Sequence, residues 1–234
     1  MTRRVSAHQA HYLPAVEYFA RIAAVDKFLF IDDVQFEKGE YQHRNRLIGG
    51  RWLTLSLLKE HYTTRLCDRR LSGGHGSGSG PEHARLIRDA YRREPGLPLL
   101  EPLLARLETL HGGEVLPDVS YDLLLLACRA LDLDTSRIMR TGGLPVNSAT
   151  IPSPSARLAA QAAYLGGTVY VAGRCGPEYM DPGPFSVNGV RLEVFRWQSC
   201  DYGSPPNLSI VDLLAKKGRE ARKFLGEIAF ERWT

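Results

Sequence analysis

Two short stretches of this chain crowd together side chains that can move protons or hold charge. The first is His8-Gln9-Ala10-His11-Tyr12. An imidazole exchanges protons near neutral pH, so His8 or His11 could act as a general acid or base. A loop histidine bonded to backbone accounts for either just as well. Their spacing of three outside a helix makes a shared metal the weaker reading. The second stretch runs through Asp32, Asp33, Gln35 and Lys38 to Gln42, His43, Arg44, Asn45 and Arg46. Guanidinium groups suit carboxylate or phosphate, and an extended strand would point Arg44 and Arg46 to one side. The adjacent aspartates could bind Mg²⁺, or one could simply cap a turn. A charged surface turn would explain the same residues without any chemistry.

A third group lies near the other end of the chain, from Arg174 to Asp181 with Asn207, Ser209 and Asp212. Cys175 sits in a glycine-flanked turn (GRCG) between two strand candidates, where a nucleophile could be exposed, and Tyr179 follows closely. Sequence shows no histidine partner for that thiol. Asn207-Leu208-Ser209 opens a helix, so its backbone N–H groups could meet an anion, although ordinary capping explains them equally.

The elements that must position these groups can be read from periodicity. Arg4 to Ala7 is a short strand, His8 to Pro14 a loop, Ala15 to Val25 a helix and Lys27 to Ile31 a strand. That order has the size of a βαβ unit, whose ligands gather outside the carboxyl ends of the strands. His8 and the Asp32-Asp33 pair would both lie there. Trp52 to Leu57 is a strand candidate, and residues 72–80 (SGGHGSGSG) form a flexible loop that could act as a lid but lacks the GK[ST] ending of a phosphate-binding loop. Helices are expected over about 82–93, 98–110 and 121–131, separated by glycine and proline breaks. Then come a short strand at 138–140, a loop over 142–155, a helix from Ser155 to about Leu165, strands at 168–172 and 190–196, and a helix over 209–218. Strands alternating with helices predict an α/β fold with a mainly parallel, Rossmann-like sheet and a helical insertion over about 82–131, in a single domain spanning residues 1–234.

Composition narrows the classes. The chain has 234 residues, 44% of them hydrophobic and 24% charged, which excludes a wholly disordered or fibrous protein. No run approaches the roughly 18 apolar residues of a membrane span, and the first residues carry no apolar signal-peptide core, so a soluble cytoplasmic protein is expected. The net charge is +4, from 30 Lys+Arg against 26 Asp+Glu, and only six of those cations are lysines. Cations and anions are interspersed (ARLIRDAYRREPG, KKGREARKFLGE), which argues against a nucleic-acid-binding face. The four cysteines form no CxxC pair, so a zinc ribbon is not expected, and Cys128 inside YDLLLLACRALDL reads as a core residue.

These blocks, taken in order, resemble the WbqC-like family. That family shows HQPNYLPWLGYF, LDDVQFxKxxWQNRNRI, WLTVPV, a YLSG…YLD segment and NLSIIDLLFNxG; the counterparts here are HQAHYLPAVEYF, IDDVQFEKGEYQHRNRL, WLTLSL, YVAGRCGPEYMD and NLSIVDLLAKKG. The chain departs from the pattern at Ala10-His11, at Ala15 in place of a tryptophan, and at Tyr41-Gln42-His43, next to retained polar positions. The resemblance implies a small-molecule enzyme that forms amides or transfers acyl groups in bacterial natural-product or polysaccharide biosynthesis. A fainter similarity to nucleotidylyltransferase-like enzymes rests on the H-x-x-H spacing of His8 and His11 and the late Asn207-Leu-Ser209; it would imply ATP-Mg and an acyl-adenylate.

The expected chemistry follows. His8 would be the acid/base, and Asp32, Asp33 and Gln35 would orient an amine or hydroxyl. Arg44 and Arg46 would hold an anionic group, with Gln9, His11, Tyr12, Lys38, Gln42, Asn45, Tyr179, Asn207 and Ser209 completing the pocket, and Cys175 as an alternative nucleophile. The partner would be a small anionic metabolite, with a carrier- or CoA-linked donor. Neither nucleic acid nor membrane is expected as a partner.

Overall fold

The computed structural model describes residues 2–61, 63–73, 76, 78–146, 151 and 153–233. Along the chain the elements are β1 (Arg4–Gln9), α1 (Val16–Ala24), β2 (Lys27–Ile31), β3 (Arg44–Arg46), β4 (Trp52–Thr54), α2 (Gly80–Tyr91), α3 (Glu101–Glu108), α4 (Leu116–Ala130) and β5 (Ile138–Arg140). They continue with α5 (Pro154–Tyr164), β6 (Val169–Ala172), two short helices α6 (Gly176–Tyr179) and α7 (Gly183–Val187), β7 (Arg191–Gln198), α8 (Ile210–Lys217) and β8 (Glu227–Arg232). Six strands make one sheet in the order β5-β2-β1-β6-β7-β8; only the edge pair β7–β8 is antiparallel. This is the expected α/β, Rossmann-like arrangement, and α2 to α4 are the expected helical insertion.

Chain direction reverses its spatial progress at β1. The connections from β1 run outward to β2 and β5 on one side, while β6 and β7 lie on the other. Crossovers that diverge in this way leave a crevice at the carboxyl ends of the two central strands, β1 and β6.

Alternation along the strands divides the core. Phe28, Phe30, Val169 and Val171 face a large cluster that includes the insertion, where Leu103, Leu104, Leu107, Leu123 and Leu124 are buried. Val5, Ala7, Leu29, Ile31, Tyr170 and Ala172 face a smaller cluster under α5 and α7. Strands buried on both faces read as nearly continuous apolar runs, as KFLFI and VYVA do. Cys128 is buried in the larger cluster, and burial pushes its thiol up to about 12.

The boundaries moved by a few residues: β1 extends to Gln9 because it pairs in parallel with Ile31, and β4 stops at Thr54. Strand β8 carries only a weak signal, because Ile228 and Phe230 are separated by Ala229 and flanked by Glu227 and Glu231 in a short segment. The expected loops at 72–80 and 142–155 fall partly outside the described residues (74, 75, 77, 147–150 and 152). Of the first, Gly78 is pinned: it accepts from Ser56 N–H at 3.0 Å and donates to Glu82 Oε2 at 2.6 Å, on the side of the insertion. Ser79 caps α2 by accepting from Glu82 N–H.

Asp32 turns out to be a fold residue. Its buried carboxylate accepts from Arg140 Nε at 2.6 Å, from the Thr141 hydroxyl at 3.0 Å and from Gly142 N–H at 3.0 Å, clamping β2 to the turn that follows β5. Arg140 also reaches Asp118 of α4 at 2.6 Å, so one ion cluster ties sheet to insertion. Removing a buried anion strands its partners. Asp32→Ala should therefore lower the unfolding free energy by about 3 kcal/mol in urea titration; a loss below about 1 kcal/mol would be typical of an exposed pair and would refute the clamp.

Candidate functional site

A cavity of about 1120 Å³ opens at the carboxyl ends of β1 and β6. His8 and Gln9 come from β1, Glu17 and Arg21 from α1, Gln35 and Glu37 from the segment after β2, Arg157 from α5, and Gly173, Arg174, Cys175 and Tyr179 from the turn and short helix after β6. A smaller cavity of about 270 Å³ adjoins it, lined by His11, Ala15, Tyr41, Asn45 and Asn207. His8, Glu17, Arg21 and Trp197 line both. Three departures from the family pattern, His11, Ala15 and Tyr41, thus shape the smaller space.

His8 is the last but one residue of β1, and its ring stacks edge-on against His11 at 4.5 Å and near Tyr18 at 4.8 Å. Its Nδ1 lies 3.1 Å from the Gln9 carbonyl. A carbonyl only accepts, so this contact places the proton on Nδ1 and leaves Nε2 as the basic nitrogen. Burial, the neighbouring His11 and the Arg21 guanidinium together hold His8 well below its ordinary value. Burial and Arg21 lower His11 to about 4. Both rings are neutral at pH 7.

Gln9 is oriented from behind. Buried Gln42 accepts from Glu37 N–H at 2.8 Å and donates through Nε2 to Gln9 Oε1 at 2.9 Å. With its oxygen so engaged, Gln9 has its amide N–H groups to offer to the cavity. Asn45 holds the loop between β1 and α1: its Nδ2 donates to the carbonyls of Leu13 at 2.7 Å and Tyr12 at 3.3 Å. Leu13 sits at φ 46°, a left-handed conformation that a branched side chain adopts only when neighbours enforce it. The start of α8 supports the same loop: Ser209 caps α8 by accepting from Val211 N–H and bridges Ala15, and the Ile210 N–H donates to the Pro14 carbonyl at 2.8 Å.

Several expected site residues have other tasks. Tyr12 is fully buried, with its hydroxyl 2.7 Å from His83 Nδ1 in the insertion, so it belongs to the core. Asp32 is consumed by its clamp. Asp33 faces the Thr141 hydroxyl at 3.1 Å and pairs with Arg157 at 3.5 Å, which places it behind the cavity wall. Neither carboxylate is free to hold Mg²⁺, so the pair does not fit an ATP-Mg site. Arg44 and Arg46 do project to one side of β3, as an extended strand requires, but their guanidinium carbons lie 4.4 and 5.3 Å from the Trp52 ring and line neither cavity. Lys38 is exposed and also lines neither.

Cys175 is an exposed free thiol on the cavity wall, and Tyr179 is exposed at the rim. Among the described residues no three His, Cys, Asp or Glu side chains are placed to hold a metal.

The residues missed from sequence are Glu17 and Arg21. Arg21 is 8% exposed, its Nε has no hydrogen-bond partner, and its nearest carboxylate oxygen is Glu17 Oε1 at 3.9 Å. An arginine in a short amphipathic helix is ordinary; only the i,i+4 spacing of Glu17 and Arg21 on the face of Tyr18 hinted that both turn inward.

Residues 9–224 match the model of the WbqC-like protein family. A protein of Mycobacterium tuberculosis described as uncharacterized is 26% identical over 233 residues, covering 95% of this chain and 97% of the relative. No solved structure matches significantly. No helix among the described residues is long and apolar enough to cross a membrane.

The buried imidazoles make stability depend on pH. Burial lowers His83, like His11, from an ordinary 6.5 to about 4. The unfolded chain therefore binds more protons than the folded one between those values, so stability is full above about 6.5 and drains away as pH falls towards 4. Replacing His83 by Gln, which keeps a partner for Tyr12, should flatten that decline when urea midpoints are compared across the window. An unchanged slope would show that His83 is not buried neutral.

Proposed function

We propose that this chain, which belongs to the WbqC-like protein family, is an amide-forming transferase that joins an acyl or aminoacyl group to the amine of a small anionic metabolite. One observation carries the reading: a roomy cavity at the strand-order switch brings a neutral, Nε2-basic histidine together with oriented amide donors and a buried cation. In amide formation the amine nitrogen attacks the acyl carbon and must shed a proton, while the leaving group must gain one. His8 Nε2 can take that proton and return it to the departing group. Gln9 donors near the carbonyl oxygen would stabilise the charge that develops there, an effect typically worth a few kcal/mol.

A pre-activated donor suits the site better than ATP. Both Asp32 oxygens and Asp33 are engaged, so the two carboxylates that could have held Mg²⁺ are spent on the fold. A carrier- or CoA-linked thioester brings its own activation: the new C–N bond forms, the C–S bond breaks, and the thiol leaves with the proton from His8. The exposed Cys175 on the same wall favours one variant of this reading, in which the acyl group rests on its sulfur between two exchanges.

Incubation of the protein with acyl or aminoacyl thioesters and small amino acids, followed by mass spectrometry, should yield an amide without ATP. His8→Ala should reduce turnover by about 10²–10⁴-fold while thermal unfolding stays close to that of the parent; undiminished turnover would refute the role of His8. An intact-mass gain of one acyl group, lost in Cys175→Ser, would select the covalent variant.

A further inference from the structure

The geometry points to Glu17 and Arg21 as a receptor for an amino-carboxylate, an α-amino acid or close relative, with the carboxylate on Arg21 and the ammonium at Glu17. This rests on the transferase reading above and identifies its acceptor.

Arg21 is a largely buried cation with little to balance it. Among the described residues no hydrogen bond satisfies its guanidinium, its Nε is buried and unpartnered, and Glu17 at 3.9 Å is beyond hydrogen-bond reach. The guanidinium carbon lies 5.2 Å from the centroid of the Phe195 ring, and the side chain lines both cavities. Burying a charge in this state is costly unless something pairs with it. A carboxylate matches the edge of a guanidinium with two parallel hydrogen bonds.

Glu17 supplies the second charge. It stands one turn earlier on the same helix face, its side chain is 45% exposed, and it lines the same two cavities. An acid and a base side by side match the two charges of a zwitterion. His8, which lines both cavities with them, would then neighbour the amine that must lose its proton. The neutral state of His8 and His11 fits this role, since neither ring repels an ammonium.

Two other arginines border the larger cavity but are differently placed. Arg157 is committed to Asp33, and Arg174 is exposed at the rim. Space for the ligand edge also depends on Gly173: a methyl group there would stand 3.0 Å from Arg21 Nη2 and 3.4 Å from Nη1.

Calorimetric titration of the full chain with glycine, acetate, methylamine and inorganic phosphate tests the assignment. Acetate should bind, glycine should bind more tightly, and methylamine should not bind. Arg21→Gln and Gly173→Ala should each weaken glycine by at least about tenfold, and Glu17→Gln should reduce glycine to the level of acetate. Phosphate binding in preference to acetate, or glycine binding untouched in both the Arg21 and Gly173 variants, would overturn the receptor. Glycine bound as expected but never acylated would leave the receptor standing and sink the transferase; acylation with glycine affinity insensitive to Arg21 would do the reverse.

Discussion

A guanidinium held inside the protein with too few partners is the constraint around which the site is arranged. Burial of an ion costs several kcal/mol even after relaxation, and Arg21 is given only an aromatic ring and a distant carboxylate in return. The rest of the fold must supply that energy. Its charge, added to burial, also keeps the imidazoles beside it unprotonated. In the proposed site one buried cation would do two things: leave an opening for an anion and, together with burial, keep the imidazoles neutral. An anion arriving on Arg21 would remove part of that influence, so ligand binding and proton affinity at His8 are linked.

Everything else serves to bring that cation to the end of β1. Parallel pairing with β2 on one side and β6 on the other fixes the level at which His8 and Gln9 leave the sheet. The Asp32–Arg140 clamp holds β2 against β5 and α4, while Asn45 and Ser209 hold the β1–α1 loop in a conformation it would not adopt alone. Gln42 then sets the direction of the Gln9 amide. The polar block from Asp32 to Arg46 is thus mostly scaffold: it orients the few side chains that line the cavity.

That division explains what could be read in advance. The strand-loop-helix-strand start, the parallel sheet and the location of a site after β1 follow from apolar periodicity and from the rule for crossover connections, which depend on the order of residues alone. His8 and Gln9 lie at the large cavity as that rule suggests, and Gln35, Cys175 and Tyr179 join them from the segments after β2 and β6. Arg44 and Arg46 do lie side by side, as their spacing in an extended strand requires, but line neither cavity. Pattern gives the side of a strand but not what stands opposite, and here Trp52 of the paired strand covers them. Asp32 and Tyr12 looked available because their partners, Arg140 and His83, lie 108 and 71 residues away in sequence. Arg21 was invisible for the converse reason: its meaning lies in partners it lacks.

The most direct measurement is a crystal structure of the protein with N-acetylglycine, which carries both an amide of the expected product class and a carboxylate. The site described here predicts density at the ends of β1 and β6, with the carboxylate against Arg21 and the amide nitrogen facing His8. Density confined to another surface, such as the Trp52 hairpin, with the β1–β6 cavity holding only water at saturating ligand, would contradict it.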